Sequence, residues 1–485
     1  MKRISGVCGR NVIPLPNSPT HVHLMGIGGT GMSALAGLFH SKGFKVSGSD
    51  QAVYPPVSDF LNDLGIEIME GYRGANLSSR PDLVVVGNVI RRTNPEADEL
   101  EKSGIPFASM PESLNHYFIR DKICLVITGT HGKTTVSAML AWILYDEDLD
   151  PSFMIGGLPR NFLTNYRLGK GRFFILEGDE YDTAYFDKTP KFLHYTPNMG
   201  IITSCEYDHA DIYDTVENIQ DQFLRFVELI PSDGYLIAYG EDPRVSKIAA
   251  GSKASLRTYG MNFGADWTVA DLIDTQDGVT ATILRDDRIV AKGTLPVMGA
   301  HNVLNALAAI AAAETVGVEP RRAFRSLQSF KGVARRQQIL GEESGILVID
   351  DFAHHPTAVR ETCAAMKSRF PDRRVVAVFE PRTNTSRRSI FQKAYIQAFL
   401  KADIIVLREP ADPEKFPEID RFKSWMLAAD LRSQGKDAHA FKDTEGILDF
   451  LCKWIRSGDV VLLMSNGNFD RLGSRLMTSL KEKAE

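Results

Sequence analysis

Ile123-Cys124-Leu125-Val126-Ile127-Thr128-Gly129-Thr130-His131-Gly132-Lys133-Thr134-Thr135 is the stretch that decides the fold. The run Ile123 to Ile127 reads as a fully buried strand, and Val136 to Leu144 carries Ala, Met, Leu and Trp at helical spacing. Two glycines between them let backbone N–H groups curl around phosphate oxygens at the positive end of the helix. Lys133 then reaches the β/γ-phosphates and the Thr134 hydroxyl is placed for Mg2+. The loop Gly129, Thr130, His131, Gly132, Lys133, Thr134 and Thr135 is therefore expected to hold a nucleoside triphosphate. It is a shortened variant, because Ile127 stands five residues before Gly132, where G-x-x-x-x-G-K-[ST] places glycine.

Upstream, a strand from Val22 to Met25 runs into Gly26-Ile27-Gly28-Gly29-Thr30-Gly31, then a helix from Met32 to Ser41 and a second strand around Lys45-Val46 closing on Asp50. Gly26, Gly28, Gly29, Thr30 and Gly31 fit G-x-G-x-x-G, with Asp50 placed for a ribose. Alone, that pattern reads as a dinucleotide dehydrogenase. The second phosphate loop argues against this and suggests one nucleotide-linked substrate and one triphosphate.

Leu83 to Val86 continues the α/β alternation that marks a parallel sheet with crossover helices. Further strand runs are Phe173 to Leu176, Gly200 to Thr203, Gly345 to Asp351, Arg374 to Phe379, Asp403 to Leu407 and Asp459 to Met464. Between Ala265 and Pro296, alternating segments broken by Asp-Gly and Asp-Asp turns predict antiparallel hairpins in the central block. Helices are expected at Asn302 to Thr315 and near Pro320 to Leu327.

At 485 residues the chain has room for roughly three domains. It is 44% hydrophobic and 24% charged with net charge −5, so no global field draws in nucleic acid and specificity must lie in sites. The five cysteines are scattered without a Cys-x-x-Cys, which predicts neither a disulfide framework nor a zinc ribbon. Met1-Lys2-Arg3 is basic but lacks a following apolar signal region, and no apolar run reaches a membrane span. The expectation is a cytoplasmic protein with no membrane or nucleic-acid partner.

Several loops follow strands, at the edge where open α/β sheets meet ligands. Glu177 opens an acidic run and is either a Mg2+ ligand or part of a solvated turn. His209, in Glu206-Tyr207-Asp208-His209-Ala210-Asp211, either reaches the same metal region or serves as a structural hydrogen-bonding residue. Asn302 and Asn305 can donate and accept together, as an adenine edge requires, although capping would explain one of them. Arg335-Arg336 bring positive charge to a phosphoryl group or form an exposed linker pair. Asp351 suits a ribose hydroxyl. The loop Glu380 to Arg388 sets Arg382 and Asn384 among hydroxyl residues as a receptor for an acidic second substrate, which Ser465 and Asn466 complete.

Together, Gly-Ile-Gly-Gly-Thr-Gly-Met, Ser47-Gly48-Ser49-Asp50, Gly-Thr-His-Gly-Lys-Thr-Thr, His301-Asn302-x-x-Asn305, Asp208-His209-Ala210-Asp211, Asp351-Phe352-Ala353-His354-His355-Pro356 and Glu380-Pro381-Arg382-Thr383-Asn384-Thr385 resemble the Mur ligases of bacterial cell-wall synthesis. The resemblance runs from His21 onward. It implies three α/β domains: a Rossmann-like 1–120 for UDP-N-acetylmuramate, a P-loop ATPase-like 121–330 with a small antiparallel insertion for ATP, and a Rossmann-like 331–485 for the peptide. It also implies an ATP-dependent amide ligase of cell-wall peptide recycling. This would join L-alanyl-γ-D-glutamyl-meso-diaminopimelate to UDP-N-acetylmuramate through an acyl phosphate, the alternative being addition of L-alanine alone. Lys133, Glu177 and His209 would be catalytic, Thr134, Glu177 and His209 would hold Mg2+, and the protein would be a monomer or weak homodimer. Three positions depart from the family pattern: Gly178 in place of Ala, Ser204 in place of Asn, and the segment Asn468-Phe469-Asp470-Arg471 in place of Phe-Gly-Gly.

Overall fold

The computed structural model describes residues 13–262 and 264–484, so the basic start Met1-Lys2-Arg3 and Cys8 lie outside the described residues. The chain is a mixed α/β protein built on three substantial sheets and divides into two compact units. The first takes in residues through Glu206 with Val216–Trp267 and Ala308–Ser326, and the second Tyr207–Thr215, Thr268–Leu307 and Leu327 onward.

In the first unit, a five-stranded parallel sheet has the order Glu67–Glu70, Lys45–Asp50, His21–Met25, Leu83–Val86, Phe107–Ser109. The chain runs outward in both directions from His21–Met25. The glycine loop after that strand therefore sits where strand order reverses, the place where open sheets leave a crevice. The loop feeds helix Thr30–Ser41, whose Met32, Leu35, Leu38 and Phe39 are buried. Each such side chain contributes about 1.5–3 kcal/mol by leaving water. Phe39 meets Tyr117 and Phe118 edge-on, with ring centroids 5.4 and 5.1 Å away.

The second sheet of this unit runs Ser255–Tyr259, Tyr235–Tyr239, Met199–Ile202, Ile123–Thr128, Phe173–Gly178, Ser152–Met154, Tyr166–Arg167, with only the last pairing antiparallel. Ile123–Thr128 has parallel neighbours on both edges, and Cys124 to Ile127 are fully buried on both faces, which accounts for its unbroken apolar run. Helix Lys133–Asp146 follows the phosphate loop with Val136, Met139, Leu140, Ile143 and Leu144 buried.

In the second unit, strands Gly278–Arg285 and Arg288–Leu295 form the expected antiparallel hairpin. Its turn residues Asp286 and Asp287 have φ of +48° and +59°, as a two-residue hairpin turn requires. The large sheet here has the order Gln338–Glu343, Ile346–Asp351, Val460–Met464, Val375–Phe379, Ile404–Arg408, Asp437–Phe441, and only its first strand is antiparallel. Alternate residues serve opposite cores. Ile349, Ala377, Phe379, Ile405 and Leu462 pack on one face, and Val348, Val376, Val378, Val406 and Leu463 on the other. The predicted strands and helices are present, several with ends longer, shorter or shifted by one to three residues. Gln338–Glu343 and Asp437–Phe441 are additional edge strands.

Among the described residues no helix is long and apolar enough to cross a membrane. Cys124, Cys205 and Cys363 are buried free thiols, and Cys452 is half-buried.

A buried polar network ties the first sheet together. Glu96 is fully buried, and its Oε1 lies 2.8 Å from His23 Nε2 and accepts the Ser49 hydroxyl at 2.8 Å. Its Oε2 accepts Asn76 Nδ2 at 2.7 Å. Replacing Glu96 with Ala strands these donors away from water, and we expect a loss of about 3–5 kcal/mol in urea unfolding. A change below about 1 kcal/mol, the size of a surface substitution, would show that the network is not structural.

Candidate active site

The first glycine loop closes on the strand beside it. Gly26 N–H and Ile27 N–H donate to Ser49 O at 2.8 and 3.1 Å, and Gly28 N–H donates to Asp50 Oδ2 at 2.8 Å. Asp50 Oδ1 accepts Tyr72 OH at 3.0 Å. Burial and then the Asp50 carboxylate hold the Tyr72 phenol above its ordinary range, so it remains a donor. Asp50, expected at a ribose, thus also supports a loop N–H of the kind that meets a diphosphate. Thr30 begins the helix behind the loop, with Gly29 at its N-cap and Gly31 inside its first turn.

The second loop depends on two glycines in the left-handed region, Gly129 at φ +129° and Gly132 at +80°, the latter capping helix Lys133–Asp146. A side chain at Gly129 would strike Thr203 and Ser204. The loop is stapled to the segment after Met199–Ile202. Thr130 N–H donates to Ser204 O at 3.3 Å, His131 N–H to Ser204 Oγ at 2.9 Å, and Glu206 N–H to Thr130 Oγ1 at 2.8 Å. Ser204, a departure from the family pattern, therefore caps the loop with its hydroxyl. The His131 ring lies 3.4 Å from Glu206. Thr135 follows in the first turn of the helix.

Lys133 Nζ donates to Gly129 O at 2.6 Å and pairs with Glu180 Oε2 at 2.9 Å. Burial works against its charge, but the carboxylates of Glu180, Asp179 and Glu177 prevail and hold the ammonium above the usual lysine range. A permanent cation is thus kept under the phosphate loop. Thr134 Oγ1 donates to Glu177 Oε2 at 3.1 Å, while Gly156 N–H donates to Glu177 Oε1 at 2.6 Å. Glu177 faces Ile127 across the strand pair, so sheet register brings it beside the loop. A hydroxyl and a carboxylate there form a hard-oxygen donor set of the kind that suits Mg2+.

The second unit holds a cavity of about 330 Å3 lined by Asp208, His209, Asp211, His354, Arg382, Thr383, Asn384, Thr385 and Asn466. It gathers four residues predicted from sequence for two different roles: His209 for metal, and Arg382, Asn384 and Asn466 for peptide. Asn466 also lines it, and its Oδ1 is buried with no hydrogen-bond partner among the described residues. His209 sits at φ +53°, its N–H donating to Asp208 Oδ1 at 2.7 Å. Asn384 Nδ2 donates to Asp211 Oδ2 at 2.9 Å, and Ala210 N–H to Thr385 Oγ1 at 3.2 Å.

Ser465, expected in this pocket, lies beneath it at 1% exposure, and its hydroxyl donates to Glu380 Oε2 at 2.5 Å. It shapes the loop from below. The reason is that Glu380 is itself buried and needs a donor at that oxygen.

A separate cluster joins the remaining predicted residues of this unit. Asn302 Nδ2 donates to Gln337 Oε1 at 2.8 Å and Met298 O at 3.0 Å, while Asn305 Nδ2 donates to Asn302 Oδ1 at 3.0 Å. Arg335 Nη2 donates to Ser465 O at 2.6 Å and also to Gly467 O, and Arg335 Nε lies 3.3 Å from Asp350 Oδ2. Arg335 and Arg336 both lie over the Phe352 ring, at 5.3 and 4.7 Å. Asp351 has both oxygens engaged, accepting Gln337 N–H and Ala353 N–H at 2.7 Å each. In this state it caps its own turn at the position where a ribose contact was expected. Burial pushes its carboxyl above the ordinary range.

Sequence reading did not single out Glu180, Asp208, Asp211 or His354. Each follows a strand within a motif already noted, and the density of acids after Phe173–Gly178 and after Met199–Ile202 was the available signal.

Two glycine loops after parallel strands, one of them carrying a largely covered lysine paired with Glu180, define the class as an α/β enzyme that handles phosphorylated ligands. Mur ligase family models match residues 21–121 (family catalytic domain), 127–313 (middle domain) and 335–467 (glutamate ligase domain). The UDP-N-acetylmuramate–L-alanyl-γ-D-glutamyl-meso-2,6-diaminoheptandioate ligase of Escherichia coli K12 is 38% identical over 96% of this chain and 99% of its own. The UDP-N-acetylmuramate–L-alanine ligase of Geotalea daltonii is 35% identical over 95% of this chain and 98% of its own. A crystal structure of a murein peptide ligase from Psychrobacter arcticus aligns with TM-score 0.71 and 34% identity, covering 95% of this chain and 98% of that one. The chain belongs to the Mur ligase family and is an ATP-dependent amide-forming ligase.

Asp208 offers a pH test of the cavity. Burial opposes its charge, but the neighbouring His354, 3.8 Å away, together with His209 and His355 holds the carboxyl well below its ordinary value of 3.8. A folded value below the unfolded one adds stability above the unfolded value and loses it as pH falls through the folded one. Wild-type protein is expected to lose melting temperature below pH 3.8 more steeply than Asp208→Asn. Identical acid limbs in thermal melts would contradict the pairing.

Proposed function

We propose that this ligase joins L-alanyl-γ-D-glutamyl-meso-diaminopimelate to UDP-N-acetylmuramate, using ATP, in the recycling of cell-wall peptides. The observation that carries this reading is 38% identity along essentially the whole length of an enzyme named for that reaction. The cavity chemistry supports it. Arg382 offers a guanidinium to a carboxylate, while Asp208, Asp211 and the unpartnered Asn466 Oδ1 offer acceptors to an ammonium. An amino substrate bearing carboxylates needs both.

The reading assigns UDP-N-acetylmuramate to 1–120, with Gly26, Gly28, Gly29, Thr30, Gly31 and Asp50 at the diphosphate and ribose. ATP goes to 121–330, with Gly129 to Thr135 at its phosphates, together with Asn302, Asn305, Arg335 and Asp351. The peptide goes to 331–485, through Arg382, Asn384 and Asn466. The muramate carboxylate attacks the γ-phosphorus, ADP leaves, and an acyl phosphate forms. The peptide's alanyl amine then adds to the acyl carbon, and phosphate departs from the tetrahedral intermediate as the amide forms. Lys133, kept charged by its carboxylate neighbours, stabilises the transferring phosphoryl charge. Thr134 and Glu177 are the residues that would hold Mg2+, which supplies further charge neutralisation when bound; the sequence reading adds His209.

The 35% identity to an alanine-adding ligase makes L-alanine the competing acceptor. With UDP-N-acetylmuramate and MgATP, ADP release is expected to be faster with tripeptide than with L-alanine. Preferential turnover of alanine would reverse the assignment. Lys133→Ala should lower kcat by about 100-fold or more, the scale of losing a charge-stabilising group.

A further inference from the structure

Phe469, Asp470 and Arg471 have φ of +46°, +48° and +56°. Three successive residues with side chains thus occupy the left-handed region, where a Cβ crowds the following carbonyl and glycine is the easiest occupant. Specific contacts hold this turn. Phe469 is 4% exposed and packs with Leu472, Leu476 and Leu463. Asp470 Oδ2 accepts Thr444 Oγ1 at 2.7 Å and pairs with Arg408 Nη2 at 3.1 Å.

Arg408 is a fork whose other arm, Nη1, grips Glu380 Oε1. Glu380 is 2% exposed, and its second oxygen takes the Ser465 hydroxyl. Arg382 Nη1 lies 3.6 Å from that same Oε1, beyond hydrogen-bond distance, and its half-exposed side chain lines the cavity. Gly467 packs directly against the Arg382 side chain and leaves no room for a Cβ. Each Glu380 oxygen already accepts a hydrogen bond, from Arg408 or Ser465, and Arg382 keeps only a longer 3.6 Å ion pair to Oε1, so its N–H groups are not spent on hydrogen bonds to Glu380.

We infer that Asp470 is a positioning residue for carboxylate recognition. By fixing Arg408 on Glu380 it holds the Glu380–Arg382 contact at a long 3.6 Å ion pair and not a hydrogen bond. Without the Asp470 carboxylate, Arg408 loses one of two anchors, and Glu380 then competes with the incoming carboxylate for Arg382. The inference rests on Arg382 binding the carboxylate of the amino substrate, as proposed above.

Steady-state ligation by the full chain, with UDP-N-acetylmuramate, ATP and the amino substrate varied in turn, tests it in Asp470→Asn and Asp470→Gly. The first variant removes the charge at nearly constant shape, and the second also removes the cost of a left-handed side chain. In both, KM for the amino substrate is expected to rise about three- to tenfold while KM for ATP stays within about twofold. A glycine variant with the wild-type KM for the amino substrate would overturn the inference, because the position would then matter only for backbone strain. A parallel rise in both KM values would also overturn it. Wild-type turnover of tripeptide and of L-alanine in separate runs decides the substrate independently, and the Asp470 effect is read on whichever carboxylate-bearing acceptor the wild type uses.

Discussion

Parallel pairing of Ile123–Thr128 with Phe173–Gly178 on one side and Met199–Ile202 on the other is the constraint from which the first unit's chemistry follows. Because all three strands point the same way, their following loops emerge at one edge. The phosphate loop, the acids Glu177 and Glu180, and the Ser204 cap therefore meet without any one segment being long. Shifting Phe173–Gly178 by one residue would turn Glu177 to the other face and remove the partner of Thr134. The apolar run that makes the strand central also fixes where the acids lie.

Both units keep charge in place by the same means. Lys133 with Glu180 and Arg408 with Glu380 are nearly buried ion pairs, and each has a further hydrogen bond, from Lys133 to Gly129 O and from the Ser465 hydroxyl to Glu380. A buried pair adds little net stability over an apolar one, whereas breaking it is costly, so such pairs serve mainly to fix geometry. In the phosphate loop the fixed element is a cation. In the second unit it is an anion, Glu380, whose hydrogen bonds to Arg408 and Ser465 bear on how closely it holds the neighbouring Arg382.

Much of this was legible in the sequence because parallel strands and glycine loops leave local signals. Leu83–Val86 and Pro320–Leu327 have the bounds their apolar and helical patterns predicted, and both glycine loops follow the strands expected of them. Gln338–Glu343 was not legible, since none of its residues is fully buried and the exposed Ile339, Leu340 and Glu342 show no in–out alternation. The role of Ser465 was also hidden, because its partner Glu380 lies 85 residues away and only the sheet brings them together. Asp351 was read as an acid for a ribose hydroxyl; that two backbone N–H groups engage its carboxylate was not legible. Short-range patterns reveal which elements form. Which polar group satisfies which depends on register between strands distant in sequence.

The central claim is that the nucleotide held above Lys133 activates a carboxylate by phosphorylation. Ligation with UDP-N-acetylmuramate carrying oxygen-18 in its carboxylate, followed by mass spectrometry of the released phosphate, measures this directly. An acyl phosphate hands one carboxylate oxygen to phosphate, so the account predicts singly labelled phosphate in step with amide formation. Unlabelled phosphate alongside normal amide yield would contradict it.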